Sequence, residues 1–203
     1  MGVCRRLRQE ADRETGVSRA LVVSLGALVA LIALLTVVGL AMPKHQGTHL
    51  VGSASGVVYY KTDVKAPSFK VANLSPGAPS ISLSSLGGKP LIIDFWASWC
   101  PDCRKEIPEL IALYHQLSGQ VRFLGVDTDD HRAPALSYAK AKHIPYLLGY
   151  DPNASLLRQF APGVLGLPTT VFVSPKGVVV ERVIGALTTK EVMAILASRL
   201  GVH

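Results

Sequence analysis

"DFWASWCPDC", Asp94–Cys103, holds two of the three cysteines of this 203-residue chain, and its reading decides the rest. A Cys-x-x-C pair can be half of a zinc site, a short staple or a redox couple. Structural zinc needs four Cys or His ligands, usually in two spaced pairs. Beyond Cys100 and Cys103 the chain offers only Cys4 and the scattered His45, His49, His115, His131, His143 and His203, of which His45 and His49 alone have ligand spacing. A staple closing so short a loop removes little chain entropy. The flanking sequence favours reactivity instead. "LIIDFW" (Leu91–Trp96) is a continuous apolar run broken by one carboxylate, as in a central parallel strand covered on both faces. Pro101 suits the first turn of a helix. The junction then puts Cys100 at a helix N-terminus, where free N–H groups favour a thiolate, and Cys103 one turn further in. An outer attacking thiol and an inner resolving thiol are what thiol–disulfide exchange requires.

Two carboxylates stand close by in sequence. Asp94 interrupts an apolar strand, where an unpaired charge costs several kcal/mol and the pKa rises. Glu106 is three residues after Cys103 and shares its helical face. Either is a candidate to move the proton of Cys103, the competing reading of Glu106 being a solvated helix-surface carboxylate. Asp102, between the cysteines, disfavours a thiolate at Cys100 and makes the couple more reducing, while Arg104 and Lys105 act in the opposite sense from exposed, screened positions.

Outward from this stretch, "ALVVSLGALVALIALLTVVGLAM" (Ala20–Met42) carries no charge over 23 residues. As a helix it reaches roughly 35 Å, enough for a hydrocarbon core of about 30 Å. Arg5, Arg6, Arg8, Arg13 and Arg19 precede it, and Lys44 is the only Lys or Arg in the 18 residues after it. The positive-inside rule keeps 1–19 as a cytoplasmic tail and exports the chain beyond Met42. The run exceeds the usual length of a signal-peptide core, which favours an uncleaved anchor over a cleaved, secreted form. Cys4 is thereby separated from the exported pair, which oxidises by default. From Pro43 onward, 16 Lys and Arg face 11 Asp and Glu without runs or aromatic interleaving, which argues against nucleic-acid binding.

Residues 43–65, with "PKHQG" and "GSASG", read as a linker, and 66–203 as the folded domain. Strands are predicted at Ser80–Leu83, Pro90–Phe95, Val121–Val126, Tyr146–Tyr150, Thr169–Ser174 and Val178–Ile184, with "SPKG" (Ser174–Gly177) as a hairpin turn. Helices are predicted at Pro101–Ser118, Ala133–His143, Ala154–Gln159 and Thr188–Leu200. The alternation gives an α/β fold with a mixed central sheet and an antiparallel edge.

"APSF" (Ala66–Phe69), "LIIDFWASWCPDC" (Leu91–Cys103), "CRKEIP" (Cys103–Pro108) and "GLPTTVFVSPKGVVVERVIGALT" (Gly166–Thr188) together resemble the thioredoxin superfamily, and within it the membrane-anchored TlpA/ResA-type thiol–disulfide oxidoreductases. The resemblance implies a thioredoxin-like fold with an N-terminal extension and a central insertion at Asp127–Val164. It matches Asp94 to the superfamily's buried aspartate, Glu106 to an active-site glutamate, Pro108 to a helix-kinking proline and Leu167-Pro168 to the cis-proline that guides substrate backbone. Trp99, Pro101, Asp102, Leu167, Pro168 and Thr169 then border the substrate. It implies no cofactor beyond the Cys100–Cys103 disulfide, and as partners exported protein thiols or disulfides, apocytochrome c among them, with a membrane thiol-reductant transporter as electron donor. The expected function is an extracytoplasmic oxidoreductase that reduces client disulfides. Its alternatives are a thiol oxidase or isomerase, a thiol peroxidase and a copper chaperone. Peroxiredoxins need Thr or Ser three residues before the reactive Cys, where Ala97 stands here, and the copper chaperones of this fold use Cys-x3-Cys with a distal His.

Overall fold

The computed structural model describes residues 49–52, 57–117, 119–164 and 166–203, so the apolar run Ala20–Met42 and Cys4 lie outside the described residues. Among the described residues nine strands form one mixed sheet: β1 (His49–Gly52), β2 (Val58–Lys65), β3 (Lys70–Asn73), β4 (Ile81–Ser82), β5 (Leu91–Trp96), β6 (Arg122–Thr128), β7 (Leu147–Asp151), β8 (Thr169–Val173) and β9 (Val178–Ile184). Their order across the sheet is β1-β2-β9-β8-β5-β6-β7-β3-β4. β5, β6 and β7 run parallel, and every other neighbouring pair is antiparallel. The helices are α1 (Leu83–Leu86), α2 (Pro101–Gln116), α3 (Arg132–Ala141), α4 (Ser155–Phe160) and α5 (Thr189–Ile195), the last continuing as a π-helical turn over Leu196–Leu200.

All six residues of β5 are buried, as its apolar run requires. Alternation sends Leu91, Ile93 and Phe95 into a core shared with Phe160 and Val171. Ile92 and Trp96 face the other way, against Leu110 and Ile107 of α2. Asp94 shares this second face and so lies beneath α2. That helix buries Cys103, Glu106, Ile107, Leu110 and Leu113, a stripe at helical spacing. Two glycines allow close approach: a Cβ on Gly125 of β6 would stand 2.8 Å from Leu148 and 3.1 Å from the Trp96 indole nitrogen, and one on Gly149 would stand 2.9 Å from Val71.

The structure departs from the sequence reading at the start of the domain. The linker expected over 43–65 contains β1 and β2, and β2 pairs with β9 from Val58↔Ile184 to Lys65↔Val178. "VYYKTDVK" is β-branched and aromatic enough to take this place, and "GSASG" just before it masked the pattern. The strand expected at Ser80–Leu83 ends at Ser82, because Ser82 and Ser85 cap each other and start α1.

Candidate active site

Cys100 is the N-cap residue of α2, with Pro101 in the first turn. Its Sγ accepts the Cys103 N–H at 3.1 Å, and the two cysteines form a disulfide with Cα atoms 5.3 Å apart. Cys100 is 3% exposed and Cys103 fully buried, so the outer sulfur is the one a client can reach. The Leu167–Pro168 peptide is cis. Pro168 sits next to the strand end because Thr169 pairs with Phe95, and Leu167 packs on the cluster that holds both cysteines.

Beside the disulfide, a groove of about 200 Å³ runs between Trp99, Asp129, Ala154, Leu157, Arg158 and Leu167. Trp99 stands 55% exposed at its rim, oriented by an indole N–H bond to the Asp129 carbonyl at 2.9 Å. Pro101 and Asp102 are exposed in the first turn of α2. Thr169 is buried, and its hydroxyl is occupied by the Gly166 carbonyl at 2.7 Å.

Both candidate proton carriers lie between α2 and the sheet, Glu106 on the buried face of α2 and Asp94 on β5. Asp94 is buried, neither of its oxygens meets a donor, and burial pushes its carboxyl up to about 7. Glu106 is fully buried, which overturns the solvated-surface reading. One of its oxygens accepts the Thr170 hydroxyl and the Leu187 N–H, each at 3.1 Å, and the other meets no donor. Burial and the charge of Asp94 hold Glu106 well above the usual carboxylate range, against the pull of those two hydrogen bonds. Thr170 pairs with Asp94 in the sheet, so one residue joins the two acids. The buried Tyr146 hydroxyl is also pushed up, by burial and then by the charges of Asp94 and Glu106. Glu106 shares the buried stripe of α2 with Cys103, so a carboxyl raised by burial lies on the same helical face as the inner cysteine.

Asp102 does not act as a bare charge. It pairs with Lys105 at 2.7 Å in the open, which offsets the reducing influence expected of it.

Sequence reasoning missed a second group of acids, at the end of β6. Asp127 is buried opposite Trp96 in the parallel ladder. Neither of its oxygens has a hydrogen-bond partner. Burial first, and then the charge of Asp130, push Asp127 up to about 8, while Arg132 pulls it down. The signal was present in "FLGVDT", an acid ending an apolar strand just as Asp94 interrupts β5. Among the described residues, no group of three or more His, Cys, Asp or Glu is disposed to hold a metal ion.

The sequence matches the AhpC/TSA family over residues 62–182. It is similar to the thiol:disulfide interchange protein DsbE of Pseudomonas aeruginosa, 31% identical over 61% of this chain and 67% of that protein. It is 28% identical to the thiol-disulfide oxidoreductase ResA of Bacillus cereus, over 63% of this chain and 72% of that one. The fold is shared with the crystal structure of a DsbF homologue from Corynebacterium diphtheriae, with a TM-score of 0.64 and 21% identity over 75% of this chain and 99% of that chain. With the Cys100–Cys103 disulfide at the head of α2, these likenesses make the chain a thiol–disulfide oxidoreductase of the DsbE/ResA type, and it belongs to the AhpC/TSA family.

Proposed function

We propose that the protein is a membrane-tethered, extracytoplasmic reductase of client disulfides, with apocytochrome c thiols in its client class and a membrane thiol-reductant transporter as its electron donor. The observation that supports the reductive direction is the pair of buried acids between α2 and β5, with Glu106 on the same helical face as Cys103. An ionised carboxylate beside Cys103 disfavours a second negative charge there, which destabilises the reduced, thiolate-bearing form relative to the disulfide. The helix N-terminus at Cys100 pulls the other way, and the balance is the measurable quantity.

In the reductive cycle the Cys100 thiolate attacks one client sulfur, forming a mixed disulfide and releasing the other as a thiolate. Cys103 then gives its proton to the carboxylate form of Asp94, with Glu106 as its protonated neighbour, and attacks Cys100 Sγ. The Cys100–Cys103 disulfide forms and the client leaves with both sulfurs reduced, two electrons having passed from enzyme to client. Trp99, Leu167 and Pro168 border the client strand, with the adjoining groove receiving its side chains. Tethering rests on Ala20–Met42 and its flanking arginines.

Insulin reduction tests the chemistry: Cys100→Ser should abolish it, and Cys103→Ser should trap a mixed disulfide. Equilibration with glutathione tests direction. A couple more reducing than glutathione supports the proposal, and a clearly more oxidising one makes the protein a thiol oxidase or isomerase. Restoration of c-type cytochrome assembly in a deletion strain by the full chain, and not by Cys100→Ser, tests the client class.

A further inference from the structure

Ser98 is buried two residues before Cys100, and both polar groups of its backbone are held by charged side chains from outside the loop. Its N–H donates to Asp130 Oδ2 at 2.7 Å. Its carbonyl accepts the Arg104 Nε at 2.9 Å and the Arg104 Nη2 at 2.6 Å. Each charged group is itself fixed. The second oxygen of Asp130 accepts the His131 N–H at 2.6 Å. The Arg104 guanidinium lies 5.4 Å from the centre of the Tyr138 ring, which packs on Trp96 at 5.7 Å. Between Ala97 and Cys100 the loop's own backbone contributes one long bond, from the Cys100 N–H to the Ala97 carbonyl at 3.2 Å.

We propose that Asp130 and Arg104 are positioning residues that act on Cys100 through Ser98, clamping the reactive loop from opposite sides. Charge-assisted bonds of this length are roughly twice as strong as neutral ones, and the fork of Arg104 also fixes direction. A loop held in this way keeps Cys100 Sγ over the Cys103 N–H in both redox states. The thiolate is thereby stabilised by geometry that the loop alone would not maintain. Arg104 follows Cys103 directly, so the residue that resolves the mixed disulfide and the one that fixes the attacking loop move as one unit.

The inference rests on Cys100 being the attacking thiol. Retained exchange in Cys100→Ser would remove that premise, whereas the clamp is read separately, from the pH dependence of Cys100 alkylation in the reduced full-length protein. Through-space charge and positioning predict different signs. If charge alone acts, Asp130→Ala lowers the Cys100 pKa and Arg104→Ala raises it. If the clamp acts, both variants raise it and both slow reaction with a small aromatic disulfide, by about tenfold each. Asp130→Asn keeps an acceptor oxygen without the charge, and it should recover most of the rate. Opposite shifts overturn the proposal, as does an unchanged thiol pKa accompanied only by a lower Tm. Should an alanine variant fail to fold, Arg104→Lys asks the same question, because it keeps the charge and loses the fork. A raised Cys100 pKa there supports the clamp, and an unaltered one overturns it.

Discussion

At the residue scale, the burial of Asp94 affects rate and stability in opposite ways. Its carboxyl is pushed up to about 7 from an ordinary value of 3.8. The folded-state value is raised, so the associated stability is fully present below about pH 4 and is lost as pH rises toward 7, where the folded chain must also ionise. Wild type should lose on the order of 2–4 kcal/mol across this window that Asp94→Asn does not lose. Urea titrations of both proteins at pH 4, 6 and 8 check this, and parallel curves would contradict it. The same substitution should slow resolution of a mixed disulfide by about 10²-fold. The wild-type rate should climb with pH through about 7, and the variant should lack that step. If both proteins share one pH profile, Glu106 is the carrier and Asp94 serves only to raise it. The placement of Asp94 in a buried strand and of the cysteines at the strand–helix junction was legible in the sequence, since the apolar run and Pro101 mark both elements. The burial of Glu106 was left open there, because a glutamate on a helix is more often solvated; the structure places it in the stripe Cys103, Glu106, Ile107, Leu110, Leu113. The clamp on Ser98 was not legible. Asp130 lies 32 residues from Ser98, and only the parallel register of β5 and β6 brings their ends together.

At the scale of elements, the site depends on how closely three strands approach under Trp96. Gly125 sits opposite Asp94 in the β5–β6 ladder, and its missing side chain leaves room for the Trp96 indole, Leu148 and Tyr146. The Trp96 indole and Tyr146 are buried and cannot retreat cheaply, and the partly buried Leu148 packs against the same cores. Gly125→Ala should therefore destabilise by about 1–3 kcal/mol through overpacking, although alanine is the smallest possible addition. Thermal unfolding measures this, and a variant as stable as wild type would mean that the layer yields. Trp96 fluorescence reads whether the strain reaches the reactive loop. Propensity and periodicity found the elements around this layer, with β9 matching residue for residue and α2 ending at Gln116. They could not find α1, where two serines capping each other outweigh the β pattern of "SISL".

At the scale of the whole molecule, the question is where the folded domain begins. The sequence placed its start at Ala66, the first residue of "APSF", because a linker-like composition precedes it. The sheet extends further. β2 covers β9 along Val58–Lys65, Val57 is buried against Gly185, and the Tyr59 hydroxyl donates to Glu191 of α5 at 3.0 Å. From the far end, Arg199 reaches back to the Thr62 and Val180 carbonyls at 3.3 and 2.9 Å, joining the last helical turn to both strands. A domain cut at Ala66 keeps the Arg199–Val180 bond but loses every contact made by residues 57–65, and it leaves β9, the partner of β8 and so of the cis-proline loop, as an open edge. Its Tm should fall by roughly 10 °C or more relative to a version beginning at Val57, at about 2–4 °C per kcal/mol for a chain of this size. It should also associate through the bared strand, visible as concentration-dependent sedimentation. Equal Tm and a monomer in both versions would return the boundary to Ala66 and leave β2 an appendage. A lower Tm would make β2 part of the scaffold that carries the cis Leu167–Pro168 peptide at the start of β8.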